Sequence, residues 1–181
     1  MLQNDISVAY NNRRALLELL HGEDTNAYRL FHGTNEGAPG LTIDGYGELI
    51  LIQSFHQSLS EDELHQIKCF YSEQLSCVPD FIYNDRSAAN SRYKNRLTGS
   101  EWDEANRPYT FKEVGVNYRF RARHSGQDPY LFLDFRAARR HVLAHSQGKS
   151  ILNLFSYTCG MGVCAAVGGA CHVANVDFAE S

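Results

Sequence analysis

The chain has 181 residues, 43% of them hydrophobic, and a formal net charge of −4, which allows one domain or two small ones and argues against a strongly basic nucleic-acid binder taken whole. No apolar run reaches the ~20 residues of a membrane span, and the N-terminus lacks the pattern of a signal peptide. The five cysteines are odd in number and contain no CxxC pair, so we expect a reduced cytoplasmic protein with neither a disulfide framework nor a metal site.

The first third of the chain predicts one helix and a β-hairpin. Residues 4–21 have helical periodicity, and the polar run at 21–26 ends the helix. Two β-like runs follow at 28–32 and 41–55, and Asp-Gly-Tyr-Gly inside the second run predicts a hairpin turn. The apolar residues expected on one face of the helix are Ala9, Leu16, Leu17 and Leu20.

The middle of the chain predicts a second helix, a strand and a further hairpin. Ser60 followed by Glu63 is a capping box that opens a helix. A strand is predicted at 81–85, a polar loop at 86–107 and a hairpin at 109–123. We therefore predict a small α+β domain of hairpins packed with helices over residues 1–107.

The charge distribution indicates where a phosphate-rich partner would bind. Residues 1–80 carry 4 Lys/Arg and 12 Asp/Glu, whereas residues 81–149 carry 13 Lys/Arg and 7 Asp/Glu. A basic middle region fits RNA phosphates, with Tyr93, Tyr118 and Phe120 available for stacking, although a solvated charged surface explains it equally well. The candidate RNA-binding residues are Arg86, Arg92, Lys94, Arg96, Arg119, Arg121 and Arg123.

The last third has the pattern of a strand–helix–strand unit. Residues 131–147 become helical from about Asp134, and strands at 150–155 and 171–177 flank a small-residue helix at 160–169. This order predicts the first βαβ unit of a parallel, doubly wound α/β domain that begins at residue 108.

Gly160 and Gly162 lie in the turn where a ligand approaches the backbone of such a unit, and a Cβ there would obstruct the approach. Asp177 follows Gly160 by 17 residues, a spacing that suits a carboxylate bound to ribose hydroxyls. The letters GMGVCA also leave a nicotinamide-dependent oxidoreductase open, as well as a glycine-rich helix start without any ligand.

Two long phrases make the chain resemble a known family. The phrase GQDPYLFLDFRAARRHVLAHSQGKSILNLFSYTCGMGVCAAVGGACHVANVDFAES is similar to the start of the catalytic domain of class I S-adenosylmethionine (SAM)-dependent methyltransferases that form 5-methylcytosine in large-subunit ribosomal RNA. The phrase NAYRLFHGTNEGAPGLTIDGYGELILIQ resembles the central domain of the same family. The resemblance covers roughly residues 8–181 and implies a Rossmann-like SAM domain after residue 107.

The resemblance also implies roles for individual residues. The loop that faces the methionine part of SAM would contain Asn153 at the end of its strand, then Phe155, Ser156, Tyr157, Gly160 and Gly162. Asp177 would hold the ribose and Phe178 would lie against the adenine, while Asp134 and Arg136 would flank the cofactor. A carboxylate at Asp134 would in addition be stabilised by the dipole of the helix that it opens.

Several positions depart from the family pattern. Asn153 stands where the family usually has Asp, and Cys159 replaces the first glycine of the usual YTGG. We expect the family's PUA domain to be absent, and its nucleophilic cysteine would lie far downstream, so no catalytic residue is assigned. We therefore expect a C-terminally truncated fragment that is inactive alone, with possible self-association through its incomplete sheet. The alternative is a non-catalytic RNA-binding or assembly module.

Overall fold

A computed structural model of the chain describes residues 2–75, 78–88, 103, 106–121 and 131–178. It divides into two compact units, Met1–Asp128 and Pro129–Ser181, called unit 1 and unit 2 below. Within the described ranges, no helix combines the length and the apolarity needed to cross a bilayer.

Unit 1 is built on a four-stranded sheet with the order β1-β2-β3-β4. The first three strands are antiparallel, and β4 pairs parallel to β3 because the second helix connects them. The described elements are α1 (Leu2–Gly22), β1 (Ala27–His32), β2 (Leu41–Tyr46), β3 (Leu49–Ser54), α2 (Glu61–Gln74), β4 (Asp80–Asp85), β5 (Pro108–Glu113) and β6 (Val116–Arg121).

Both helices contribute to one apolar core with the sheet. Ile43, Ile50 and Ile52 are at most 1% exposed and belong to the same cluster as Ile6 of α1 and Ile67 of α2. The predicted hairpin within 41–55 and the capping box at Ser60 are confirmed, with residues 44–46 in β2 and the turn at 47–48. The expectation that Leu16 lies on the buried face of α1 was wrong.

Leu16 is 51% exposed, because the face of α1 that packs inward is set by Ile6, Ala9, Leu17 and Leu20. The sequence pattern therefore placed the helix correctly but included one residue too many on its buried face.

The hairpin β5–β6 belongs to unit 1. The Tyr46 ring at the end of β2 lies 5.2 Å from the Phe111 ring and 5.1 Å from the Phe120 ring. The backbone adds to this contact, since Asn26 N–H donates to the Lys112 carbonyl at 3.0 Å. The compact units consequently divide after residue 128, whereas the sequence placed the boundary at 107/108.

An ion pair with a buried carboxylate and a partly exposed guanidinium joins β1 and β2. Arg29 and Asp44 lie opposite each other, and the guanidinium donates to both carboxylate oxygens at 2.8 and 3.0 Å. The Asp44 side chain has no exposed surface. Burial raises the pKa of Asp44 above its usual value, and the hydrogen bonds and charge of Arg29 oppose that shift only in part.

Unit 2 confirms the predicted strand–helix–strand pattern. A 3₁₀ turn (Leu133–Phe135) leads into α3 (Arg136–His145), followed by β7 (Ser150–Leu154), α4 (Gly160–Val167) and β8 (His172–Val176). The strands β7 and β8 pair in parallel from Ser150↔His172 to Leu154↔Val176. Their carboxyl ends therefore lie side by side, the edge at which open α/β sheets bind ligands.

Candidate cofactor site

The loop after β7 has an unusual backbone. Phe155, Tyr157 and Cys159 all have positive φ, at 54°, 48° and 61°, a conformation that costs a residue with a Cβ roughly 1–2 kcal/mol. Ser156 N–H donates to the Val176 carbonyl at 3.1 Å, which ties the loop to the end of β8. The family that the sequence resembles usually has glycine at position 159, which suits this left-handed backbone. Cys159 adopts the same conformation although it has a Cβ.

Asp177 is joined to the same loop. Tyr157 N–H donates to Asp177 Oδ2 at 2.7 Å, so the backbone fixes the carboxylate immediately after β8. Asp177 is exposed, and a carboxylate held in this way presents acceptors for ribose hydroxyls to solvent.

The two glycines have a packing role within unit 2. A Cβ on Gly162 would lie 2.2 Å from Asn175 Oδ1, and a Cβ on Gly160 would lie 2.9 Å from Leu131 Cδ1. The absent side chains therefore permit α4 to approach β8 and Leu131 closely, a known reason for glycine in such turns. The sequence argument had attributed both glycines to the approach of a ligand.

Asn153 is part of a bridge between the strands. Its Nδ2 donates to Asn175 Oδ1 at 2.9 Å, directly opposite in the register of β7 and β8. The same Asn175 oxygen is the atom nearest to the missing Cβ of Gly162. An amide at position 153 can thus support the turn without the charge of the usual Asp.

The segment before α3 lies against the loop. The Phe132 ring is 5.5 Å from the Tyr157 ring at an angle of 41°. Asp134 is exposed in the 3₁₀ turn and Arg136 begins α3, and their place beside the cofactor stays a prediction. The sequence analysis did not single out Arg139, which is buried and donates to the Phe132 carbonyl at 2.8 Å. The signal was the second Arg of the quoted LFLDFRAARR segment.

Aromatic side chains surround the strand ends. Phe155 is 79% exposed and Phe178 is 87% exposed, both values far above those of core aromatics. Exposed rings beside a carboxylate and a strained loop offer stacking surfaces for a planar ligand group such as adenine.

The predicted RNA-binding residues are only partly described. Arg119 and Arg121 lie exposed on the same face of β6, as the alternation predicted. Arg86 lies at the other end of unit 1's sheet, just after β4, with its guanidinium 5.1 Å from the centre of the Phe55 ring. Arg92, Lys94, Arg96 and Arg123 lie outside the described residues.

The stacking role expected for Phe120 was wrong. Phe120 is 4% exposed and packs against Tyr46, which leaves its ring inaccessible to bases. Tyr118 is half-buried and stacks on Phe111 at 5.2 Å, so the hairpin offers cations rather than free aromatic rings.

Comparison with known proteins identifies related sequences. Residues 28–181 match the family model described as S-adenosylmethionine-dependent methyltransferase. The chain is 32% identical over 167 residues to ribosomal RNA large subunit methyltransferase I of Aeromonas salmonicida, covering 90% of this chain and 41% of the relative. It is 31% identical to ribosomal RNA large subunit methyltransferase K/L of Colwellia psychrerythraea, covering 94% of this chain and 24% of the relative.

A solved structure shares the fold. It is SMU.776, described as "a putative methyltransferase complexed with SAH", with a TM-score of 0.76 and 27% identity over 99% of this chain and 44% of the other. SAH is S-adenosylhomocysteine, the product that remains after SAM has lost its methyl group. The chain thus spans less than half the length of the relatives named above.

Proposed function

The chain belongs to the S-adenosylmethionine-dependent methyltransferase family, and we propose that it binds SAM at the carboxyl ends of β7 and β8 for methylation of large-subunit ribosomal RNA. The observation that carries the proposal is the 2.7 Å hydrogen bond from Tyr157 N–H to Asp177. It joins the predicted methionine-facing loop to the predicted ribose acceptor. SAM supplies an electrophilic methyl group when it is bound there.

The residues present suit this cofactor. Asp177 offers carboxylate oxygens to the ribose, the exposed Phe178 ring offers a stacking face to adenine, and Asp134 offers a counter-charge to an ammonium group. The positive-φ backbone at Phe155, Tyr157 and Cys159 shapes the loop around the remaining part of the ligand. The four described cysteines are free, and we include a cytoplasmic location in the proposal because thiols stay reduced there.

Calorimetric titration with S-adenosylhomocysteine tests the proposal. Asp177→Ala removes charge-assisted hydrogen bonds, each worth about 1.5–3 kcal/mol, so we expect at least about tenfold weaker binding. Asp62→Ala, an exposed acid on α2 in unit 1, is the matched control and should bind like the parent chain. Absence of binding by the parent chain, or equal affinity of the Asp177 variant, contradicts the proposal.

The target within this proposal is C5 of cytosine, supported by the two phrases that resemble the cytosine-5 group. Nucleoside analysis of ribosomal RNA from cells with and without the gene for this chain addresses the target directly. Loss of 5-methylcytidine at one position of the large-subunit RNA is expected on deletion. A different methylated nucleoside that disappears instead would contradict the cytosine-5 assignment and leave cofactor binding intact.

A second candidate function is RNA contact through unit 1 without catalysis. The observation that favours it is the exposed pair Arg119 and Arg121, which forms no ion pair with any residue in the described part of the chain. Removing one phosphate contact lowers the slope of log affinity against log salt by about 0.7–0.9. Arg119→Ala should lower the slope in this way, whereas Arg14→Ala on exposed α1 should not.

A further inference from the structure

Arg139 is a buried cation outside the set of residues assigned to the cofactor site. Its side chain belongs to α3 and only 4% of the residue is exposed. A buried guanidinium requires several hydrogen-bond acceptors, because leaving its donors unsatisfied away from water is costly. One acceptor is the Phe132 carbonyl, 2.8 Å from the guanidinium Nη2 and seven residues earlier in the chain.

The Phe132 carbonyl lies at the point where the chain turns into α3. Phe132 precedes the 3₁₀ turn that carries Asp134, and Phe135 N–H donates to the same carbonyl at 3.1 Å. A carbonyl with two lone pairs accepts both bonds. Arg139 thereby fixes the backbone from which the Phe132 ring and the Asp134 carboxylate project.

The series of contacts that begins at Arg139 continues through the Phe132 ring to the loop after β7 and to the end of β8. The Phe132 ring lies 5.5 Å from the Tyr157 ring, and Tyr157 N–H donates to Asp177 at 2.7 Å. Three segments distant in sequence are therefore connected in one series: the turn before α3, the loop after β7 and the acid after β8. Each segment contains at least one residue predicted to touch the cofactor.

We infer that Arg139 is a positioning residue that holds the Phe132–Asp134 turn against the Tyr157 loop and so sets the geometry of the cofactor site. The inference rests on the proposed function, because it assigns Arg139 to the same SAM site. In the proposed arrangement Arg139 does not touch the ligand. Its effect reaches the site through the Phe132 carbonyl and ring.

The test measures the site with and without ligand. In the ligand-free chain, nuclear Overhauser effects between the Phe132 and Tyr157 rings report the contact directly. Arg139→Ala is expected to abolish these effects and to weaken S-adenosylhomocysteine binding about tenfold, the range for losing a hydrogen bond to a charged group. Arg140→Ala, the exposed neighbour on the same helix, should preserve both the ring contact and the affinity.

Two further variants separate positioning from general stability. Arg139→Lys keeps a charge and a donor and should recover part of the lost affinity. Phe132→Leu removes the ring but keeps the carbonyl, and it should weaken binding about threefold or more without loss of amide protection in β7. The double variant should be no weaker than Arg139→Ala alone, because residues in one series of contacts are not additive. If Arg139→Ala unfolds unit 2, Arg139→Lys and Phe132→Leu decide the question.

The outcomes are distinguishable. The inference is overturned if the parent chain binds S-adenosylhomocysteine and Arg139→Ala changes neither the affinity nor the ring contact, or leaves either one unchanged. The proposed function then stands. Unchanged affinity in Phe132→Leu overturns it as well. Absence of S-adenosylhomocysteine binding by the parent chain overturns the proposed function and this inference together.

Discussion

Units 1 and 2 differ in how completely their sheets are covered. In unit 1, helices bury one face of the sheet, and Tyr46 on the other face packs against Phe111 and Phe120 of the β5–β6 hairpin. In unit 2, Leu152 is 63% exposed and Val176 is 51% exposed on the strands themselves. Parallel strands are normally buried on both faces. Unit 1 therefore derives its stability from its own core, whereas the unit that carries the candidate site has apolar surface still to bury.

The largest expected effect is a difference in the free energy of unfolding between alanine substitutions in the strands of the two units. Ile52→Ala in β3 deletes a side chain with no exposed surface and should lower the free energy of unfolding by about 2–5 kcal/mol. Leu152→Ala in β7 deletes a side chain that is already largely hydrated and should cost less than about 1 kcal/mol. Urea denaturation followed by circular dichroism measures both. Equal costs would mean that the strands of unit 2 are packed as well as those of unit 1.

The next effect concerns the ion pair between Arg29 and the buried Asp44 in unit 1. Arg29→Ala removes the hydrogen bonds that the guanidinium donates to the buried Asp44 carboxylate and should destabilise unit 1 by about 1.5–3 kcal/mol at pH 7. Lys112→Ala breaks an exposed pair with Asp24 and is the control, with an expected cost below about 1 kcal/mol.

The sign of the pH dependence follows from the raised pKa of Asp44. The favourable contribution of Asp44 to the free energy of unfolding is complete below its unfolded-state pKa near 3.8. It is lost as pH rises through the folded-state pKa. Arg29→Ala should consequently regain stability relative to the parent as pH falls from 7 towards 4, when Asp44 takes up a proton. A loss that stays constant between these pH values would contradict the role assigned to the ion pair.

A smaller effect concerns backbone strain at Cys159 in unit 2. Cys159 has φ 61° and ψ 17° as the residue before α4, so Cys159→Gly should relieve left-handed strain and stabilise unit 2 by about 1 kcal/mol. Slower amide exchange in β7 would report the gain. Cys171→Gly, at an exposed position without positive φ, should produce no gain. Faster exchange in the Cys159 variant would show that the loop is not strained there.

The smallest expected effect is weak self-association of unit 2. In the described part of unit 2, the two-stranded sheet exposes the face that contains Leu152 and Val176, and an uncovered sheet edge tends to pair with another chain. Sedimentation velocity should show an average mass that rises with concentration, and Leu152→Lys should reduce that rise. A concentration-independent monomer with strongly protected amides at 150–155 would contradict this prediction.

Local patterns in the sequence predicted most elements of the fold. The capping box at Ser60, the turn at Gly47 and the order of β7, α4 and β8 depend on residues close to one another in the chain. These features are set by backbone geometry and periodicity, which a single sequence displays.

Features that depend on contacts between distant segments were not predictable in this way. The attachment of the β5–β6 hairpin depends on Tyr46, far away in sequence, and the predicted boundary at 107/108 did not include that contact. The packing of Gly162 on Asn175 and the bond from Arg139 to Phe132 were missed for the same reason. In the candidate site, the sequence indicated the residues, and the structure added the contacts that hold them together.

Hydrogen exchange with and without S-adenosylhomocysteine tests the central claim most directly, because it locates binding along the whole chain. The account predicts ligand-dependent protection in 153–162 and around Asp177, with unit 1 unchanged. Protection confined to unit 1, or no change at saturating ligand, would contradict a SAM site at the carboxyl ends of β7 and β8.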